Sequence, residues 1–355
     1  LCSSGPEDVA NIRYAFVATI FLSLPFSFMV LRYPANVFND DAVVTDLNKS
    51  ILRDDDEDAR TTHGFTNGGM IQTTRGPNNG EKALAFLLFA GSIVMFITLF
   101  MNINPVIPFT GALVFSILLV LMLEGVYADH EGLRHTCIFG FLNEALHLNI
   151  SGAMDSYYTS QNDNCVMNGP GFDFIFYITV AAIVGGFVGV IVSYTYRRHI
   201  LHRFEVRSTV VTSIIAWGCT SVVDIIIVKR WNITVLGIPD WLMFLLGDVV
   251  FSQAMSMSVL LPLMSLTSTA VIRGVATLTS MNTLSCQNIG SSVGRVFGIY
   301  LTYILGVHST EERGCNFDNL VALIVVARII IPLLAVPLCY FFLPNAVLRQ
   351  NTKTA

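Results

Sequence analysis

Long stretches of mostly apolar residues recur along the chain. A stretch of about 18 residues or more predicts a membrane-spanning helix, because roughly 20 residues at a rise of about 1.5 Å cross a hydrocarbon core of about 30 Å. A more polar stretch at 136–154 is a doubtful ninth candidate beside eight clear ones. The clear ones are 14–31, 83–101, 106–127, 172–196, 209–228, 241–266, 274–305 and 320–343. The pattern predicts an all-α membrane protein, a polytopic helical bundle of about nine spans.

Composition points to the bilayer as the solvent. Apolar residues make up 53% of the 355 positions and charged residues 13%, and the mean hydropathy is +0.63. Such a chain has too few polar groups to cover its apolar surface in water. The net charge of −5 is spread over loops, so we expect the lipid bilayer as a partner and no nucleic acid.

Loop charges predict the orientation, since cytoplasmic loops collect Lys and Arg. The basic loop 197–207 is placed inside, and the adjacent loop 155–171, which lacks Lys and Arg, is placed outside. Alternation then puts Arg273 and the C-terminal tail inside. Lys229 and Arg230 fall outside, against the rule, but two charges do not outweigh four.

The seven cysteines show no CxxC or Cys/His spacing, which argues against a zinc or redox motif, and no cofactor is expected. Cys165 and Cys315 both fall in predicted external loops, where a disulfide can persist. The alternative is two free thiols. The other cysteines within spans are interpreted as small buried apolar residues.

The segment 34–82 is the one long hydrophilic insertion. It carries the acidic run 54–58 followed by Gly- and Asn-rich sequence, with little that could pack into a core. We predict a disordered, acidic cytoplasmic linker, with a metal or basic partner as the less favoured alternative. Because Leu1 stands almost directly before a span, we expect an N-terminally truncated fragment.

Turn and glycine patterns predict how neighbouring spans pack. Asn104 and Pro105 separate two spans by about four residues, which predicts an antiparallel hairpin over 83–130. Small residues recur at GxxxG spacing in two spans, which favours close helix packing at the centre of a bundle. These glycines are Gly185, Gly189, Gly290, Gly294 and Gly298. The segment 274–305 is longer than one straight crossing, so it should tilt, bend near Gly290 or project from the membrane.

Ionisable residues within spans are costly and usually face a cavity or a partner, so each is a functional candidate. Glu144 lies beside Asn143 and one turn before His147; the three could relay a proton or bind a polar ring, unless the segment is an interfacial helix in water. Asp224 could titrate or pair with Lys229 or Arg230. Asp248 lies deeper, and a functional role is favoured there.

Two arginines and three amides complete the candidates. Arg295 and Arg328 suit an anionic substrate, because a guanidinium binds a carboxylate through two hydrogen bonds, and pairing with Asp or Glu is the alternative. Asn282, Gln287 and Asn288 could read the donor and acceptor edge of a polar ring or form hydrogen bonds between helices.

Enzyme signatures are missing from the sequence, which contains no G-x-S-x-G, H-E-x-x-H, Walker or dinucleotide-binding pattern. We therefore expect a protein that is not an enzyme and does not use ATP directly. A channel is less favoured, since no repeated pore-lining pattern or ring of charge is visible.

Three blocks resemble the folate/biopterin transporter family, a branch of the major facilitator superfamily, and look closest to its trypanosomatid members. The blocks are Phe141-Leu142-Asn143-Glu144 through Tyr157-Tyr158-Thr159 to Phe172, Leu236-Gly237-Ile238-Pro239-Asp240 with Gly247-Asp248, and Arg273-Gly274 with Asn288 and Gly290. The resemblance implies a complete C-terminal six-helix half over 131–345, the end of an N-terminal half over 1–33, and a cytoplasmic tail over 346–355.

The resemblance also implies a function. We expect a secondary active transporter that moves folate, a pterin such as biopterin, or a related conjugated solute by alternating access, with protons as the candidate coupling ion. The partners are then the bilayer and a small-molecule solute. We expect a multi-pass protein of the plasma membrane rather than of an organelle.

One block departs from the family pattern, which usually reads Lys-Gly-x-Glu-Ala-Thr. Here Gly274 and Val275 are followed by Ala276 and Thr277, so the acidic residue is missing. The departure bears on proton coupling and on the substrate. It motivates one alternative, a non-transporting receptor or scaffold of the same fold.

Overall fold

Helices account for most of the chain that the computed structural model describes, namely residues 79–100, 104–160, 166, 169–200, 203–269, 276–310 and 314–344. In chain order they are α1 (Asn79–Phe100), α2 (Val106–Val126), α3 (Glu131–Leu146), α4 (Ser151–Thr159), α5 (Phe176–Ile200), α6 (Val206–Val228), α7 (Trp231–Thr234), α8 (240–269), α9 (Ala276–Ile304) and α10 (Leu320–Phe342). The predictions for 1–33, for 34–78 and for the tail at 346–355 lie outside the described residues.

Five of the described helices are long and apolar enough to cross a membrane, and they belong to α2, α5, α6, α8 and α10. The predicted all-α, polytopic membrane architecture is confirmed. The count of nine spans stays a prediction, as does the orientation. Helix α1 begins at Asn79, four residues before the predicted boundary at 83.

Helices α1 and α2 pack as an antiparallel hairpin. Gly80, at the start of α1, lies against Val126 at the end of α2, and Gly91 lies against the ring of Phe115. The hairpin predicted from the short turn at Asn104 and Pro105 is therefore present.

The doubtful span at 136–154 is two helices, because α3 ends at Leu146 and α4 begins at Ser151. Residues 136–141 are all buried, so α3 is enclosed by its neighbours. Enclosure explains how so polar a segment can be accommodated, since its side chains do not face lipid.

Glycines of α9 let this helix lie directly on α3. A Cβ at Gly294 would stand 2.9 Å from the carbonyl oxygens of Glu144 and His147, and Gly290 and Gly298 approach the carbonyls of Phe141 and Asn149 more closely still. Contacts advance in the same direction along both helices, so α3 and α9 are parallel. The close packing predicted from the glycine spacing is present, and α9 continues without a break through Gly290.

Two short antiparallel strands, β1 (His308–Thr310) and β2 (Gly314–Asn316), lie between α9 and α10. Cys315, in β2, is disulfide-bonded. Cys165 lies outside the described residues, so its pairing with Cys315 stays a prediction.

Candidate functional site

A buried ion-pair network joins α6, α8 and α10. Arg328 pairs through Nη1 with Asp224 Oδ2, and the same nitrogen lies 3.3 Å from Asp248 Oδ1. The Asp224 side chain is 1% exposed and that of Asp248 is 20% exposed. A guanidinium placed between two carboxylates is thus the electrostatic centre of these three helices.

The predicted partners of Asp224 are wrong. Asp224 points into the bundle, whereas Lys229 is exposed just beyond the end of α6. Arg230 has a left-handed backbone, with φ of 61°, and pairs with Asp240 at 2.9 Å. The chain has turned away from the face that carries Asp224, which leaves Arg328 as its cation. The ion-pair alternative considered for Arg328 is the one that the structure adopts.

Local helix geometry sets the direction of two of the three side chains in the network, those of Asp248 and Arg328. Asp248 lies in a π-helical stretch, Phe244–Phe251, and Arg328 lies in another, Val325–Ile330. A π-helical turn is rare, rotates the side chains that follow it and often occurs at functional sites. Gly247 packs directly on the side chain of Val223. This close approach brings Asp248 beside Asp224, the neighbour of Val223.

Aromatic residues close one side of the network. The Tyr158 hydroxyl donates to Asp224 Oδ1 at 2.8 Å, and the Tyr177 hydroxyl donates to Asp155 Oδ1 at 2.6 Å. Phe244 contacts both tyrosines and Phe172, with ring centroids 5.2 to 5.5 Å apart. Such a wall excludes water, which strengthens electrostatic interactions inside it. Asp155 and Tyr177 are not among the predicted site residues, because the sequence pattern places Asp155 in a loop and indicates no role for Tyr177.

The network holds more negative than positive charge. Asp155, Asp224 and Asp248 supply three carboxylates, and Arg328 supplies one guanidinium. In the part of the chain that the structure describes, no other Lys or Arg lies within ion-pairing distance of these carboxylates. Asp224 and Arg328 neutralise each other, so Asp155 and Asp248 are uncompensated when they are ionised, and a proton or another cation would balance each of them.

A second polar cluster lies where α3 ends. The His147 Nδ1–H donates to the carbonyl oxygen of Asn143 at 2.8 Å, and the Asn143 amide lies 3.5 Å from Glu144 Oε1. The His147 ring stacks on Trp217, with centroids 4.0 Å apart. Asn143 is fully buried. The predicted common face of Asn143, Glu144 and His147 is therefore present, and it is not a water-exposed interfacial helix.

A polar seam leads from this cluster towards the ion pairs. Trp217, Ser221 and Asp224 are spaced by four and three residues, so they lie on one face of α6. The Trp217 Nε1–H donates to Ser252 Oγ at 3.1 Å, one turn beyond Asp248 on α8. The contact between α6 and α8 therefore carries polar groups both at the ion pairs and at Trp217 and Ser252.

The remaining candidates are divided among different surroundings. Asn282 donates to the Tyr127 hydroxyl at 3.2 Å, which is the helix-to-helix use considered for it. Gln287 is buried against Gly140 of α3. Asn288 and Arg295 are exposed on α9 and contribute to neither cluster. The three amides therefore do not share one face of α9, since Asn282 and Gln287 are buried and Asn288 is exposed.

The model of the BT1 family matches residues 63–355, which is most of the chain. No curated protein and no solved structure matches the chain.

Proposed function

This chain belongs to the BT1 family of folate–biopterin transporters, and we propose that it is a secondary carrier which moves folate, a pterin such as biopterin, or a related conjugated solute by alternating access. Family membership and the apolar helices make it an integral multi-pass membrane protein. Beyond family and membrane class, we propose an alternating-access cycle coupled to protons, and the plasma membrane as the location of the protein. The alternative of a non-transporting scaffold is not favoured by the family match.

One observation carries the proposal: Arg328 is shared by two carboxylates that differ in environment. Asp224 is enclosed and also accepts the Tyr158 hydroxyl, whereas Asp248 is more exposed and its contact with Arg328 is longer. A buried ion pair contributes little net stability, because desolvation offsets the attraction. A network of this kind within membrane helices is more typical of a site that moves ions or protons.

The charge count gives a coupling step. When Asp248 takes up a proton from the outside, Arg328 remains paired with Asp224, and the charges of these two residues cancel. When the proton leaves towards the inside, Asp248 becomes ionised and competes for Arg328. Loading and release therefore change the force that holds α8 and α10 together, which is the kind of bias that alternating access requires.

The helices that carry the network are built to accommodate movement. Asp248 and Arg328 both lie in π-helical stretches, and irregular helices at a central site are typical of secondary transporters. Because Arg328 is already shared by two aspartates, we propose that it couples proton binding to helix movement. A substrate carboxylate would have to displace one of these aspartates to reach it.

The direct test is uptake of labelled folate and labelled biopterin by cells that express the full-length gene. We expect uptake of at least one of them above vector controls, rising as the external pH is lowered. A protonophore should abolish accumulation against a gradient. Absence of uptake above the vector for both solutes, with the protein present at the cell surface, would contradict the proposal.

A further inference from the structure

The cluster at the end of α3 has hydrogen-bonding capacity that the described part of the chain does not use. Asn143 Oδ1, His147 Nε2 and Gln287 Nε2 are all buried and have no hydrogen-bond partner there. Asn143 is 0% exposed and Gln287 is 6% exposed. Buried polar atoms are seldom left unpaired in native proteins. Three of them on two packed helices indicate a site that a ligand completes.

The contacts between α3 and α9 bring these groups together. Gln287 lies against Gly140, and Gly290, one turn further along α9, lies against the Cβ of Glu144. Asn143 and Glu144 follow Gly140 by one turn of α3. Because the two helices are parallel and in van der Waals contact, Gln287 lies within about one helical turn of Asn143 and Glu144 along the bundle.

The chemistry of the cluster favours a ligand rich in N–H groups. A backbone carbonyl only accepts, so the nitrogen of His147 that faces the Asn143 carbonyl carries a proton, and Nε2 of the neutral ring is an acceptor. Asn143 Oδ1 and the Glu144 carboxylate are acceptors as well. Gln287 Nε2 is the one unpaired donor among these groups. Within the described residues Glu144 has no ion-pair partner.

We propose that this cluster is the recognition site for the polar edge of a planar nitrogen heterocycle. The Glu144 carboxylate accepts two adjacent N–H groups, and Gln287 Nε2 donates to the neighbouring ring carbonyl. Trp217 holds the His147 ring in place by stacking, so that Nε2 is presented as a further acceptor. The proposal rests on the proposed function, and it names the part of the solute that the carrier reads.

A 2-amino-4-oxopteridine has the matching edge: an amino group, an adjacent ring N–H and then a carbonyl oxygen. Lumazine, the 2,4-dioxopteridine, replaces the amino donor by a carbonyl acceptor and keeps the rest. Opposite Glu144 that carbonyl faces a carboxylate oxygen, which is repulsive. A site that hydrogen-bonds a donor discriminates strongly against an analogue that lacks it.

The test is competition of unlabelled pterin and lumazine against labelled biopterin uptake in cells expressing the full-length gene. We expect the unmodified protein to prefer pterin by about tenfold or more, the factor expected for a hydrogen bond to a charged group. Glu144→Gln turns one acceptor into a donor that suits lumazine. Its preference for pterin should fall by about tenfold or reverse. Glu131→Gln, an exposed position on the same helix, should keep the original preference.

A second variant gives an independent readout. Gln287→Leu removes the donor to the ring carbonyl, which both pteridines possess, so it should weaken both by a similar factor and keep the preference. If Glu144→Gln does not transport, the two ligands are compared by thermal stabilisation of the purified variant. An unchanged preference in Glu144→Gln, or no weakening in Gln287→Leu, would overturn the site. If the unmodified protein transported neither folate nor biopterin, the proposed carrier function would be refuted instead.

Discussion

Asp224 and Asp248 share the guanidinium of Arg328, but they are held in different ways. Asp224 is enclosed and accepts a hydrogen bond of 2.8 Å from Tyr158, while Asp248 lies 3.3 Å from Arg328 with a partly exposed side chain. We therefore propose that the enclosed carboxylate is the permanent partner of the arginine. We propose that Asp248 is the member of the pair that exchanges a proton, because Arg328 stays paired with Asp224 when Asp248 is protonated.

Asp248→Asn tests this difference. Asparagine keeps the shape and hydrogen bonding but cannot titrate, so the coupling step is lost while the substrate site remains. We predict normal surface expression, net uptake that is abolished or no longer increases as external pH falls, and preserved exchange of labelled for unlabelled solute. Uptake and exchange are measured in cells or in proteoliposomes with imposed pH gradients.

Asp173→Asn is the matched control, since Asp173 is exposed just before α5 and should leave both activities and their pH dependence intact. If Asp248→Asn were to transport at the normal rate with the normal pH profile, Asp248 would be a structural polar residue. The coupling role would then pass to Glu144.

Tyr158→Phe tests the anchoring of Asp224. The change removes the hydroxyl that donates to a fully buried carboxylate and leaves that acceptor lone pair unmet, at a cost of about 1–3 kcal/mol. We expect a lower thermal unfolding temperature of the purified protein and weaker transport. Tyr303→Phe, at a position on α9 that is 45% exposed, should change neither. Equal stability of the two variants would show that Tyr158 does not hold Asp224.

The sequence indicates which charged residues are functional candidates better than it indicates which of them form ion pairs. Asp248 and Arg328 stand out because charges are rare in apolar spans, and the common face of Asn143 and His147 follows from helical spacing. Asp224 and Arg328, in contrast, are 104 residues apart, and nothing local indicates that they meet. The nearest cations along the chain were therefore assigned to Asp224, incorrectly.

Two further features left too weak a signal in the sequence. The π-helical stretch around Asp248 has the same apolar composition as an ordinary helix, so its effect on the direction of that side chain could not be predicted. Asp155 follows a polar segment, which led to its assignment to a loop, whereas enclosure by other helices lets Ser151–Thr159 remain helical. Tertiary enclosure decides such cases, and a single sequence does not report it.

The external disulfide can be tested by labelling. Cys315 is disulfide-bonded, and we predict Cys165 as its partner because both are assigned to external loops. A membrane-impermeant thiol reagent on intact cells should label neither residue until a reductant is added. Cys315→Ser should free Cys165 and allow labelling without reductant. Ready labelling of Cys165 in the unmodified protein would contradict both the bridge and the orientation that proposed it.

Gly247 tests whether the close approach of α8 to α6 sets the geometry of the network. A Cβ at this position would overlap the side chain of Val223, so we expect Gly247→Ala to push α8 away from α6 and to move Asp248 away from Asp224, the carboxylate with which it shares Arg328. Overpacking of this kind costs about 1–3 kcal/mol. We predict lower thermal stability and strongly reduced uptake.

Gly186→Ala is the matched control, because a Cβ there meets nothing within 4 Å. Val223→Ala in the Gly247→Ala background should restore stability and uptake in part and together, since it removes the two Cγ atoms that clash and leaves only the Cβ, at 2.9 Å. If the double variant were no better than Gly247→Ala alone, the two residues would not be coupled, and the position of Asp248 would not depend on their contact.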